Sequence, residues 1–271
     1  MPPRQFFPSG NGRPVWQKVL CLAFVFVLNL ASGGSTSEAE ASKKVPEAIP
    51  EVDFKKLPKS ILWDFTHGLF SADNLVPVLV GAGVAGVSTT FEDELTDRVR
   101  GEFEFLGDSG NVIGHPITAT AGVVTALLAS RFTDNRRFRA FSYTMAQSYV
   151  LENVMTLTIK AAVSRTRPNG ANDNSFASGH TAATFSFATV AGHYFGKKVA
   201  IPAFAAGVWV GAARIESGKH FLSDVIIGAV VGIIAGRTAI RGTRTLFSEP
   251  HVQVVPQILG DSVGVTLHVR W

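Results

Sequence analysis

From residue 75 to residue 236 the chain alternates long apolar stretches with short polar connections. Six stretches stand out: Leu75 to Val87, Val112 to Ser130, Ala140 to Val163, His180 to Phe195, Val199 to Ala213 and Phe221 to Gly236. They are rich in Ala and Gly and carry few period-two alternations, which predicts helices rather than strands. Ile61 to Phe70 adds a short amphipathic helix. The tail from His251 reads differently, because Val263, Val265, Leu267, Val269 and Trp271 alternate with other residues and Gly260-Asp261 offers a turn. That pattern predicts a small β-hairpin. Two strands cannot close a barrel, so the hairpin is expected to cover or dock on a helical domain. The expected architecture is all-α, a six-helix bundle with a short C-terminal β-hairpin.

The N-terminus has another character. Arg4, Arg13 and Lys18 precede an apolar run from Val19 to Leu30, followed by Ala31-Ser-Gly-Gly34, which are the parts of a secretory signal. The only cysteine, Cys21, lies inside that run, and no lipidation Cys follows it. Residues 35–53 are rich in Ser, Glu, Ala, Lys and Pro and read as a flexible linker. The expected division is therefore a signal or anchor over 1–34, a linker over 35–53, the helical domain over 54–245 and the hairpin tail over 246–271.

Composition narrows the class. Charged residues make up 17% of the 271-residue chain, below the roughly one quarter usual in soluble domains, and the mean hydropathy is positive. The net charge of +4 comes from dispersed basic residues without an aromatic-interleaved stripe, which speaks against nucleic acid as a partner. No Cys/His cluster has metal spacing, so neither a metal nor another cofactor is expected. His67, His115 and His193 lie on or near apolar segments and are expected in the core or on helix faces; His251 and His268 belong to the tail.

Three polar fragments interrupt the apolar pattern and carry candidate chemistry. In the first, Lys160 and Arg167 are seven residues apart, close to one helical face, with Pro168 ending the helix beside a loop from Asn169 to Asn174. The second, Ser178-Gly179-His180, reads as a helix start with Ser178 at the N-cap, where backbone N–H groups of Gly179 and His180 would meet an anion. In the third, Arg214 would end one helix and His220 open the next. His220 and Asp224 are four apart, so a helical face would let the carboxylate hold one ring nitrogen and leave the other as a nucleophile. Three cations, two imidazoles and a carboxylate are what phosphoryl transfer through a histidine requires.

In this order, Lys-x6-Arg-Pro, Ser-Gly-His and Arg-x5-His-x3-Asp resemble the phosphatidic acid phosphatase type 2 superfamily, which also holds class A acid phosphatases and vanadium haloperoxidases. The likeness runs from about Phe54 to Arg241. It implies a helical bundle of the acid phosphatase/haloperoxidase type, with His220 as the phosphorylated nucleophile, Asp224 as its orienter and His180 as the acid. Lys160, Arg167, Arg214, Ser178 and Gly179 would hold the phosphate oxygens. The chain departs from the family pattern at Ala177, where Pro is usual, and at Ala213, where Ser is common. The expected function is metal-independent hydrolysis of a phosphate monoester, lipid phosphate or pyrophosphate. A vanadate-dependent haloperoxidase and a non-catalytic phosphate- or headgroup-binding envelope protein are the alternatives.

Placement in the cell is read two ways. Arg131 to Arg139, Lys197-Lys198 and Arg237 to Arg244 all fall in connections opposite the three fragments, as for spanning helices with a cytoplasmic basic end. Against this, several stretches are short of a span, and the third contains Gln147, Glu152, Asn153 and Lys160. Six crossings after a cleaved signal would also put the site on the basic side. These arguments favour an exported, periplasmic helical bundle over an integral inner-membrane one, with contact to a membrane surface as the remaining partner besides the phosphorylated substrate.

Overall fold

The computed structural model describes residues 49–101, 110, 112–247, 251–259 and 262–270. The signal-like segment and most of the linker lie outside the described residues. Among the described residues eight α-helices follow in order: α1 (Leu57–Trp63), α2 (Leu75–Ser88), α3 (Glu92–Val99), α4 (Pro116–Ala129), α5 (Arg136–Val163), α6 (Gly179–Phe195), α7 (Lys197–Glu216) and α8 (Leu222–Phe247). Each of the six predicted stretches overlaps one of these helices, and the domain is all-α as expected. A π-helical turn, Asp64–Gly68, prolongs α1, and the chain bends by 75° before α2. Beyond the bundle, β1 (His251–Leu259) and β2 (Ser262–Arg270) pair antiparallel, with His251 opposite Arg270 and Leu259 opposite Ser262.

Helix ends differ from the sequence reading where local chemistry decides them. The side chain of Asn135 accepts the Phe138 N–H at 3.1 Å and starts α5 ahead of its apolar run. Ser164 stops α5 in the left-handed conformation at φ 46°, three residues before Arg167. Arg167 therefore sits in the following loop rather than on the helix. Helix α3 was not expected, because its sequence is charged rather than apolar. Glu92, Asp93 and Glu94 fill its first turn, where negative charge suits the helix dipole.

Close packing of α6 against α8 builds the frame for the site. A side-chain carbon at Gly228 would come within 2.5 Å of the Ser178 carbonyl oxygen, and one at Gly232 within 2.2 Å of the Ala182 carbonyl oxygen. Only glycine permits that approach at the start of α6. At the other end, Phe141, Tyr143, Met145, Val190 and Tyr194 join in an apolar cluster with Val52.

The interior is polar to an unusual degree. Thr144 bonds Tyr194 at 2.8 Å and Thr243 at 2.9 Å, Thr243 reaches Gln147 at 3.1 Å, and Asn74 reaches Thr238 at 3.1 Å, all of them buried. The outer faces are the reverse. In α2, Leu75, Val76, Val78, Leu79 and Val87 are exposed while Gly81, Ala85 and Ser88 are buried. Ile117, Val124 and Leu128 are exposed along α4, and Val154 and Leu157 along α5. By length and composition α7 and α8 could each cross a membrane, and the bent α1–α2 pair could form a third span.

Candidate active site

A pocket of about 210 Å³ opens between α4, α5, α6 and the α7–α8 connection, lined by Lys160, Arg167, Gly179, His180, Arg214 and His220. Six of the eight sequence-derived site residues thus converge on one cavity from three separated fragments. Ser178 and Asp224 stand behind it, both fully buried.

Local geometry departs from the sequence reading at each fragment. Lys160, in the last turn of α5, donates to the Asn174 carbonyl oxygen at 2.7 Å and so ties the loop to the helix. Arg167 reaches the pocket from that loop, its backbone N–H bonded to the Asn172 carbonyl at 3.0 Å. The shared helical face inferred from a seven-residue spacing does not exist; a folded loop brings the two cations together instead.

Ser178 occupies the N-cap position of α6, but its hydroxyl caps no backbone N–H and accepts from the Thr181 hydroxyl at 3.0 Å. Its own N–H donates to the Asp224 carbonyl at 2.9 Å, which locks the start of α6 to α8. An uncapped helix start beside Gly179 leaves amide donors and a positive dipole end facing the pocket.

Arg214 lies in the last turn of α7, as expected, whereas His220 precedes α8 by two residues. Consequently His220 and Asp224 do not share a helical face. The His220 Nδ1 donates to the Ser175 carbonyl oxygen at 2.6 Å, and the nearest Asp224 oxygen is 3.7 Å away. Asp224 instead accepts the Phe221 N–H at 2.9 Å and the Ser175 hydroxyl. It fixes the two backbone segments that hold His220 rather than gripping the ring itself. With Nδ1 carrying the proton, Nε2 keeps its lone pair. Burial first, then the charges of Arg214 and Lys160, lower His220 to about 4 against the opposing pull of Asp224, so the ring is neutral at physiological pH. Burial, followed by Arg214 and His220, lowers His180 further, to about 3.

Sequence reasoning missed the cation that anchors Asp224. Arg165 donates from Nη1 to Asp224 Oδ1 at 2.9 Å and to Ser223 at 2.8 Å, and from Nη2 to Glu92 Oε1 at 2.6 Å. Its guanidinium also lies over the Phe221 ring at 4.0 Å. Glu92 in turn accepts the Ser223 N–H at 2.9 Å. The charged α3 was the available signal, since a buried Glu needs a partner. His115, expected in the core or on a helix face, is exposed at the start of α4, where its Nδ1 accepts the Ile117 N–H at 3.2 Å. Its ring meets that of His180 edge-on, with centroids 6.0 Å apart.

On its inner side the pocket is lined by Tyr149, Glu152, Asn153 and Thr156. Glu152 is 2% exposed and accepts from Asn153 at 2.7 Å. A second cavity of about 320 Å³ adjoins the first through Gly114, Ala119, Tyr149 and Ala183 and runs between Val123, Phe141, Met145 and Phe187.

A helical bundle with this cage of cations and histidines defines a class. Residues 137–247 match the family model of the PAP2 superfamily. A lipid A 1-phosphatase of Porphyromonas gingivalis is 33% identical over 94 residues, which is 34% of this chain and 21% of that protein. The chain thus matches about a fifth of the length of that curated relative. Among solved structures, a transmembrane PAP2 type phosphatidylglycerolphosphate phosphatase of Bacillus subtilis is similar in fold, with TM-score 0.56 and 16% identity, over 65% of this chain and 98% of that one. LpxE of Aquifex aeolicus aligns at TM-score 0.46 and 22% identity, over 55% of this chain and 92% of that one.

Proposed function

We propose that the chain is a membrane-embedded lipid phosphate phosphatase working through a phosphohistidine. The observation that carries this reading is the convergence of Lys160, Arg167, Arg214, His180 and His220 on one pocket that opens into an apolar groove. Three cations suit the equatorial oxygens of a phosphoryl group, whose charge grows in the transition state. The groove suits a hydrocarbon chain. The lipid A 1-phosphatase relative supports a lipid phosphate as the substrate class.

Chemistry follows from the ring orientations. His220 Nε2 attacks phosphorus, forming an N–P bond as the ester P–O bond breaks. His180 gives its proton to the leaving oxygen. With the site empty His180 is deprotonated at neutral pH; a bound phosphate dianion opposes the field of Arg214 and raises its affinity for the proton. Water then attacks phosphorus, His180 accepts its proton, and His220 departs with inorganic phosphate released.

The membrane reading rests on the inverted distribution of side chains. Large apolar residues face outward from α2 and α4, while hydroxyls and amides join helices inside. In water such faces would be left uncovered; in a bilayer they meet lipid and the polar contacts hold the helices. With α7 and α8 as spans, Lys197, Lys198, Arg241 and Arg244 gather at the end away from the site. The positive-inside tendency then puts the phosphate pocket on the non-cytoplasmic side.

Phosphate release from a panel of lipid and soluble monoesters by the detergent-purified chain tests the function. Lipid monoesters should be hydrolysed with higher kcat/KM than short soluble ones. Release from soluble esters alone would contradict the reading.

A further inference from the structure

Within the pocket, the cations occupy one end only. Glu152, Thr156 and Lys160 follow at i, i+4 and i+8 along α5 and all line the cavity. At 1.5 Å per residue, Thr156 lies about 6 Å and Glu152 about 12 Å from Lys160 along the helix axis. The Thr156 side chain packs beside Gly179, and its buried hydroxyl has no hydrogen-bond partner. Glu152 is buried, forms no ion pair among the described residues and bonds only the neighbouring Asn153. Two buried polar side chains thus stand between the phosphate cage and the apolar groove. A helix that needed only to pack there would carry apolar residues, because a buried hydroxyl without a partner costs stability.

We propose that Glu152 and Thr156 form a subsite that hydrogen-bonds an uncharged hydroxyl on the alcohol half of the substrate. The inference rests on the phosphatase reading and narrows its substrate class. Favoured substrates are phosphate monoesters of polyol or sugar headgroups. Plain alkyl or polyprenyl phosphates offer no group to this subsite. A diphosphate would bring its second phosphate toward a carboxyl with no cation to receive it.

The test compares lysophosphatidic acid, whose glycerol keeps a free hydroxyl, with dodecyl phosphate, which has none. Detergent-solubilised full chain is assayed as wild type, Glu152→Gln, Glu152→Leu and Thr156→Val. The wild type should prefer lysophosphatidic acid in kcat/KM. Glu152→Leu should shrink that preference about tenfold, mainly through KM, the size expected for losing one buried hydrogen bond. Thr156→Val should shrink it less, and Glu152→Gln, which keeps a donor and an acceptor, should retain most of it. An unchanged preference in Glu152→Leu, or an equal loss on both substrates, would overturn the subsite. Failure of the wild type to release phosphate from either compound would overturn the phosphatase reading instead. In that case equilibrium binding of the two amphiphiles to wild type and Glu152→Leu decides the subsite separately, by whether the same preference is present and then lost.

Discussion

At the scale of single residues, Arg165 illustrates how much of the site depends on groups that touch no substrate. It pairs with Glu92, 2% exposed, and with Asp224, fully buried, so its removal leaves two carboxylates in a poor solvent. Arg165→Met should cost about 3–5 kcal/mol of stability, the usual penalty for breaking a buried pair by removing one partner. Thermal unfolding checks this, with Arg165→Lys expected to recover part of the loss. The histidines set the pH response. His220 falls from 6.5 to about 4 on folding, so between these values the unfolded chain binds more protons than the native one. Stability should decline as pH falls from 6.5 toward 4. The acid limb of kcat/KM should lie near the lower value, which a pH–rate profile measures. The three motifs were legible because their residues sit close together in sequence. Arg165, Ser175 and Glu92 were not, since their partners lie far along the chain and only folding joins them.

Helices were legible as elements, and their ends were not. Apolar runs located α2 and α4 through α8, whereas α3 is held by acidic residues and one buried Glu and gives no apolar period. The loop from Ser164 to Ser178 corrected two expectations at once. It places Arg167 beside Lys160 without a shared helix, and it supplies the Ser175 carbonyl that holds His220. Neither follows from residue spacing, because loop paths are set by distant hydrogen bonds. The α6–α8 contact carries its own test. Gly228→Ala would drive a methyl group into the Ser178 carbonyl and push α6 away from Asp224. A loss of about 1–3 kcal/mol is expected from overpacking. Vanadate or phosphate inhibition should weaken with it, because the amides at the start of α6 move. Inhibition unchanged in a destabilised variant would separate the packing from the anion site.

Over the whole molecule, span length and parity in the sequence favour a periplasmic bundle slightly, against a charge pattern that suits spanning helices. The proposal of a membrane-embedded bundle rests on the distribution of exposure. Gln147 and Glu152, which argued against a span, face the interior, and Val150, Val154, Leu157 and Val163 are exposed on the same helix. A helical wheel of α5 cannot reveal this, because polar and apolar residues are spread around it and only packing decides which side is inside. Alkaline carbonate washing of cell membranes should therefore leave the chain in the pellet; its release to the supernatant would refute the embedded bundle. The proposed chemistry depends above all on His220. Brief incubation with substrate labelled with radioactive phosphorus, rapid denaturing quench at alkaline pH and peptide mapping should place acid-labile label on the His220 peptide, with none in His220→Ala. Phosphate release that proceeds with no label on His220, or that persists near the wild-type rate in His220→Ala, would contradict it.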